Sequence, residues 1–398
     1  MSSEPALTTK VFRKIEEISP QDWNIVFPRA LENYHFFKSL DESNFDQFKF
    51  FYIMVYDSGT AVGAAPCFLM RFPFDITVQG PLKTFLAFLK KPFPNILNPK
   101  VLVCGLPMGQ GRIGITKDPG CVMEAISDSM EKIAKEERAA GLLFKDFVDS
   151  YDSVFSTLIE KGYFRVESLP STDMDINFSS FDEYLKELSP SSREGLKRKF
   201  KKVDGRVKID LEINDSLTED ELSEVYRLYL QTFQKQEVGI EKLTKDFFRN
   251  VSKNMPQEVK YFLWRIEGRP VAFAFCLVSG GHFIDYYLGF DYEVAYQYNL
   301  YFVRFRDLLK WCIAHGIKKY EMGVTAYEPK RSLGFEFIRL YFYVKHCNPF
   351  VNPFAKLVTH FIKPENFDPV FKEMKRGSSA AVPAAVGCVS GDGDTFLR

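Results

Sequence analysis

A chain of 398 residues exceeds one small module and, at about 150 residues per domain, should hold two or three, each with its own core. Its 52 Lys and Arg balance 52 Asp and Glu, which excludes a global field drawing it to nucleic acid or anionic membrane and confines any polyanion to a local patch. Apolar residues at 46% and charged residues at 26% exclude an intrinsically disordered chain, and 40 Phe with 19 Tyr favour aromatic-rich cores or long apolar grooves.

The opening stretch MSSEPALTTKVFRK has no apolar leader core, and the most apolar runs, such as 84–89, are too short to span a bilayer. A cytoplasmic protein is expected. Seven cysteines are scattered without a C-x-x-C, and five histidines form no H-x-x-x-H pair, so neither disulfides nor a metal site is expected.

In chain order, the first half reads as a strand over 48–56, a turn at Asp57-Ser58-Gly59-Thr60 and a strand over 61–70. A Phe- and Pro-rich insertion over 71–100 leads to a strand over 101–105. A helix over 121–140 places Val122, Ile126, Met130, Ile133 and Ala134 on one face and stops at Gly141. A strand over 142–148, a short helix over 151–161 and a strand opening on Gly162-Tyr163-Phe164 complete it.

The middle, 178–254, reads as mostly helical. Thr218 and Glu221 make a capping box before a helix over 222–234, and another helix covers 241–254. The second half then repeats the first: strands over 259–266 and 271–279 joined by a turn, a strand over 282–290, a helix over about 295–315 ending at Gly316, a strand over 317–322, a turn or short helix, and a strand over 335–344 after Gly334. The tail from Gly377 is rich in small residues and expected to be disordered. The fold class is therefore α/β (α+β), as two similar units with a helical connection. The expected division is 1–177, a connection over 178–215 with a basic amphipathic helix, 216–363, and the tail over 377–398.

This element order resembles the GNAT acyltransferase fold in tandem, as in Fem-type peptidyltransferases and FemAB-like or CelD-like acetyltransferases. The likeness rests on Phe37-Lys38-Ser39-Leu40-Asp41-Glu42-Ser43, on Val103-Cys104-Gly105-Leu106-Pro107 with Gly109 and Gly111, and on the basic segment from Arg193. It is fullest over Asp285-Tyr286-Tyr287-Leu288-Gly289-Phe290-Asp291, Tyr298-Asn299-Leu300, Tyr320-Glu321-Met322-Gly323 and Lys330 with Gly334-Phe335. Three positions depart from the pattern. The Gln/Arg-x-x-Gly-x-Gly/Ala loop that grips the CoA pyrophosphate is replaced by Asp291-Tyr292-Glu293-Val294-Ala295-Tyr296, Glu321 stands where Asp is frequent, and Pro329 stands where Fem-type enzymes carry an aromatic residue.

The resemblance implies an acyltransferase that moves an acyl group from acyl-CoA, or another activated donor, to a small-molecule or peptide amine. It also implies that the central strands of the second unit part to admit the donor. Strand alternation would put Asp285, Tyr287 and Gly289 on one face of their strand. Asp285 is then either a base or orienter in the cleft or a structural partner of a nearby donor. Lys330, otherwise a solvated lysine in a Pro-Lys-Arg turn, matches the lysine Fem-type enzymes hold near the acyl group. Lys330, Asp285 and Tyr287 are the catalytic candidates. Tyr298 and Asn299 at the helix entrance and Gly109 and Gly111 in the first-half loop are the candidates for carrier binding. Arg193 and Lys197 on the basic helix, with Glu321, are the candidates for substrate binding. That helix could grip a tRNA end, a nucleotide-linked substrate or lipid phosphates, or simply be solvated. Two other readings stand beside the acyltransferase: a non-catalytic binding protein for a peptide, glycan precursor or lipid, and an aminoacyl-tRNA-dependent peptidyltransferase.

Overall fold

The computed structural model describes residues 7–28, 30–72, 98–235 and 241–359, with 364, 368, 370 and 371. Most of the 71–100 insertion and all of the tail from Gly377 lie outside the described residues.

The first half runs β1 (Thr8–Phe12), α1 (Pro20–Val26), α2 (Tyr34–Asp41), β2 (Lys49–Asp57), β3 (Thr60–Arg71), β4 (Lys100–Cys104), β5 (Gly114–Ile115), α3 (Pro119–Glu137), β6 (Gly141–Val148), α4 (Asp152–Glu160), β7 (Phe164–Glu167) and β8 (Ser171–Asp175). The connection holds α5 (Phe181–Glu187), α6 (Pro190–Lys201) and β9 (Asp210–Asn214). The second half runs α7 (Glu219–Lys235), α8 (Lys245–Asn254), β10 (Val259–Ile266), β11 (Arg269–Ser279), β12 (His282–Phe290), α9 (Tyr292–Ala295), α10 (Leu300–Ala314), β13 (Lys319–Glu321), α11 (Tyr327–Ser332), β14 (Glu336–Ile338), β15 (Leu340–His346) and α12 (Asn352–Thr359). None of the described helices is long and apolar enough to cross a membrane.

Several elements follow directly from local chemistry. The Thr218–Glu221 capping box forms in both directions, Thr218 N donating to Glu221 Oε2 at 2.8 Å and Glu221 N to Thr218 Oγ1 at 3.3 Å. The helix expected to stop at Gly141 ends at Glu137, because Arg138 turns left-handed with φ 56° and Gly141 already begins β6. The helix expected from about 295 starts later, at Leu300: Asn299, left-handed at φ 47°, separates α10 from the short α9, which ends at Ala295. Gly316 closes α10 with φ 68°.

Both halves build a mixed sheet. The first has the order β1-β2-β3-β4-β6-β15-β7, with β5 beside β3, and the second the order β14-β8-β13-β12-β11-β10-β9. Among the described residues each contains one parallel pair, β4 with β6 and β12 with β13. The two sheets exchange strands across the expected boundary at 177. β8, from the first half, pairs with β13 and β14, while β15, from the second, lies between β6 and β7. The expected single strand over 335–344 is therefore two strands in different sheets, separated at Arg339.

Alternation along the strands gives each sheet two apolar faces. One face of the first sheet packs on α3 and α4 through Val122, Ile126, Met130 and Phe155. One face of the second packs on α10 and the connecting helices through Phe283, Phe305, Leu308 and Leu196. The remaining faces share one core, in which α1, α2, α7 and α8 lie between the sheets. There Phe36 of α2 is fully buried, with ring centroids 6.1 Å from Phe247 of α8 and 5.8 Å from Tyr286 of β12. Truncating such an aromatic costs about 3–5 kcal/mol. Polar seams reinforce the contact, as where Asn250 Nδ2 donates to Glu42 O at 2.9 Å and Thr244 Oγ1 to Ser43 O at 2.6 Å.

Candidate active site at the parting of two strands

β12 and β13 pair in parallel over only three residues, His282 with Lys319, Phe283 with Tyr320 and Ile284 with Glu321. β13 ends there, while β12 continues to Phe290. From Asp285 onward β12 has no parallel neighbour among the described residues. At the same point it carries a bulge, since Phe275 opposes Tyr287 and Cys276 opposes Asp285, leaving Tyr286 as the extra residue. The bulge overturns the simple alternation expected here. Tyr286 and Tyr287 both pack into the shared core, while Asp285 faces α10 on the opposite side.

On the α10 side, Asp285 Oδ2 accepts from Arg304 Nη1 at 2.5 Å and from the Tyr320 hydroxyl at 3.0 Å. Both partners of the ion pair are enclosed, with side-chain exposures of 0% and 1%. Burial works against the Arg304 charge, but Asp285, Tyr320 and Tyr301 more than offset it, so the guanidinium is held charged. Lys330 lies nearby on α11. Its Nζ donates to three successive carbonyls, Met322 at 2.9 Å, Gly323 at 3.0 Å and Val324 at 3.1 Å. All three ammonium protons are used. The collar fastens the loop after β13, where Gly323, Thr325 and Ala326 have φ of 60°, 69° and 50°. Burial pulls Lys330 down to about 7, against the fields of Asp285 and Glu321 that favour its charge.

On the shared-core side a seam of polar groups joins the halves. Glu32, nearly fully buried, lies 3.1 Å from Arg112 Nε and accepts from the Tyr286 hydroxyl at 3.3 Å. Glu321 accepts from Gln110 Nε2 at 3.1 Å and from Ser171 Oγ at 3.4 Å, with His282 Nε2 also 3.4 Å away. Burial acts to raise the Glu321 carboxyl, but His282, Arg112 and Lys319 outweigh it and hold it low. Further along, the Tyr287 hydroxyl donates to Glu241 Oε1 at 3.4 Å, and burial pushes Glu241 up against the field of Lys145. Lys145 Nζ lies 2.6 Å from Asp146 and donates to Gly109 O at 3.3 Å. Burial also raises the hydroxyls of Tyr286 and Tyr287, keeping both as neutral donors.

The sequence candidates fall into three places. Asp285, Tyr287, Glu321 and Lys330 meet at the parting, although on different sides of the sheet. Asn299 stands at the α10 entrance without a side-chain capping bond, and the Tyr298 hydroxyl accepts from Gln297 at 3.1 Å. Of Gly109 and Gly111, expected to approach a carrier phosphate, the first lies at the contact between halves and the second packs against β6 of its own half. A Cβ on Gly109 would sit 3.0 Å from the Tyr286 hydroxyl, and the Gly111 amide already donates to Asp146 O at 2.8 Å. On α6, Arg193 donates to Leu188 O at 3.2 Å and Lys197 to Glu194 at 3.3 Å. The cation of α6 that reaches the entrance of α10 is Lys199, its Nζ 3.9 Å from the centroid of Phe302. Sequence reading missed Arg304, Arg112, Glu32, Gln110 and Glu241. Arg304 did carry a signal, an arginine four residues before Leu308 on the apolar stripe of α10. Among the described residues there is no cluster of His, Cys, Asp and Glu able to hold a metal.

Residues 190–331 match the family described as the acetyltransferase (GNAT) domain. In structure the chain is similar to FemX (12% identity, TM-score 0.53, covering 84% of this chain and 96% of that one). It is also similar to a tandem GNAT protein from the clavulanic acid biosynthesis pathway (10%, TM-score 0.52, 86% and 99%). The chain has the tandem GNAT fold. The same fold is seen in L-PGS from Bacillus licheniformis, at 13% identity and a TM-score of 0.51 over 86% of this chain and 96% of that one. Among curated proteins it is 24% identical over 347 residues to a Mycobacterium tuberculosis protein, strain H37Rv, provisionally named 8-amino-7-oxononanoate synthase 2. That match covers 83% of this chain and 44% of the relative, so the tandem GNAT chain spans less than half the length of the curated relative it matches.

Proposed function

We propose that this tandem GNAT protein transfers an acyl group from an activated donor, acyl-CoA first, to an amine, and that the reaction takes place where β12 and β13 part. The observation that carries the reading is the loss of parallel pairing after Ile284 and Glu321, beside the entrance of α10 and directly at the bulge. A thioester lying in that gap meets free backbone groups of β12 on one strand and the N-terminus of a helix at its carrier end. Lys199 adds a cation for a phosphate of the carrier, in place of the missing glycine loop.

The acceptor amine approaches from the shared-core side. Glu241, raised by burial, takes a proton from the ammonium and leaves a neutral nucleophile. Nitrogen attacks the thioester carbonyl carbon, the C–S bond breaks, the Tyr287 hydroxyl gives its proton to the departing thiolate, and the proton shed by the nitrogen as the amide forms returns to the Tyr287 oxygen. Lys330 acts as a positioning residue, since its protons are spent on the loop that borders the gap. The first half and α6, with Arg193 and Lys197, shape the acceptor's approach.

The missing pyrophosphate loop and the engaged Lys330 ammonium favour a second reading, in which the protein binds a peptide, glycan precursor or lipid without turnover. An aminoacyl-tRNA donor, gripped by α6, is the third. Isothermal titration with acetyl-CoA and a long-chain acyl-CoA, followed by thioester turnover over a panel of amines, separates them. Binding with turnover supports transfer, binding without turnover supports the second reading, and no binding to either thioester removes acyl-CoA as donor.

A further inference from the structure

Arg304 spends only one of its nitrogens. Nη1 meets Asp285 Oδ2 at 2.5 Å, whereas Nε and Nη2, both buried, have no hydrogen-bond partner among the described residues. In a guanidinium those two N–H groups lie side by side on one edge and match the two oxygens of a carboxylate. Tyr301 stands one helical turn earlier, its ring centroid 5.7 Å from the Arg304 guanidinium carbon, and its buried hydroxyl also has no partner among those residues. Asp285 Oδ1 is the fourth such atom. All four belong to α10 and β12 at the level where β13 ends.

Arg304 keeps its charge, yet Asp285 meets it through one nitrogen only, so the Nε/Nη2 edge is a buried pair of charged donors facing no acceptor among the described residues. Leaving such donors unpaired is unfavourable, and one further carboxylate satisfies both. Apolar groups fill the rest of this face, including Phe283, Leu300 and Phe305, so an aliphatic chain ending in a carboxylate fits both the lining and the charge.

We propose that the Nε/Nη2 edge of Arg304, with the Tyr301 hydroxyl, is a subsite for a carboxylate at the far end of the transferred acyl group, so that the preferred donor is the thioester of a dicarboxylic acid. The inference rests on the acyl-transfer reading above and adds the donor's class to it. The distal carboxylate takes no part in bond making; it fixes the depth at which the thioester carbonyl stops beside the bulge.

The test compares succinyl-CoA with butyryl-CoA, which differ only in the end group, on the full chain by calorimetry and by thioester turnover. Succinyl-CoA should bind about ten- to a hundredfold more tightly, the worth of a charge-assisted hydrogen-bond pair. Arg304→Lys, which keeps a charge but loses the paired edge, should shrink that ratio to about threefold or less. Tyr301→Phe leaves the ion pair intact and should lower the ratio by a smaller factor, so it carries the test if Arg304→Lys fails to fold. Equal or tighter binding of butyryl-CoA overturns the inference alone, as does a succinyl preference that survives both substitutions. Binding of neither thioester overturns the acyl-CoA reading and the inference together.

Discussion

The two parallel strand pairs hold corresponding positions in their sheets and end differently. In the first half β4 stops at Cys104, and the chain that follows fills the space beside β6. Gly111 donates to Asp146 O at 2.8 Å, and a Cβ on it would lie 2.1 Å from Lys145 O. β15 covers the other edge of β6. In the second half β13 stops at Glu321 and, among the described residues, no strand continues it beside β12; the gap is bordered by the Asp285–Arg304 pair and by the Lys330 collar. One gap is closed by backbone and one is bordered by charge. The difference supports the proposal that the second half holds the donor while the first serves as scaffold and acceptor wall.

The largest effect should come from disturbing the charged gap. Asp285→Leu leaves Arg304 buried without its anion and should cost about 3–5 kcal/mol in denaturant unfolding. Asp285→Leu with Arg304→Met should recover most of that loss while donor binding stays impaired. Next, Lys330→Met leaves three carbonyls without donors and should cost about 3 kcal/mol or more, with turnover lost even at temperatures where the protein stays folded. Survival of full turnover would show that the loop after β13 does not matter to the reaction.

How much of this was legible in the sequence depends on how local the cause is. The hairpins, the capping box at Thr218 and Glu221 and the stop at Gly316 rest on neighbouring residues and were readable. The exchange of β8 and β15 was not, because pairing partners more than a hundred residues away leave no mark on local periodicity. The bulge at Tyr286 hid the face of Asp285, since one extra residue reverses every side chain beyond it. Arg304 was overlooked because Arg306 and Asp307 beside it make a charged, solvated helix face an easy reading; its register with Leu308 and Cys312 carried the opposite message. The fit of a donor at the gap was suggested by resemblance, whereas the polar seam of Glu32, Gln110 and Arg112 joins residues whose meeting no motif announces.

The closed gap gives a smaller test. Gly111→Ala should cost about 3 kcal/mol through the backbone clash at Lys145 O, yet the folded fraction should keep its affinity for the donor. Loss of donor affinity in a folded Gly111→Ala protein would blur the division of labour between the halves. The smallest effect concerns Asp41 in α2, which burial raises to about 6 although Ile15 N and the Tyr52 hydroxyl donate to it. Its folded value lies above the unfolded one, so the folded state holds more protons between about 4 and 6. That contribution to stability is present at low pH and is lost as pH rises through about 6. Asp41→Asn should flatten this part of the stability-against-pH curve.

The most direct measurement is hydrogen–deuterium exchange of the full chain with and without a bound acyl-CoA. Protection confined to 284–290, 299–303 and 322–326, with 104–112 unchanged, is the result expected if the donor lies between β12 and β13. Protection centred on 104–112 and β6, with the second-half segments unaffected, would contradict the assignment of the donor to the second half.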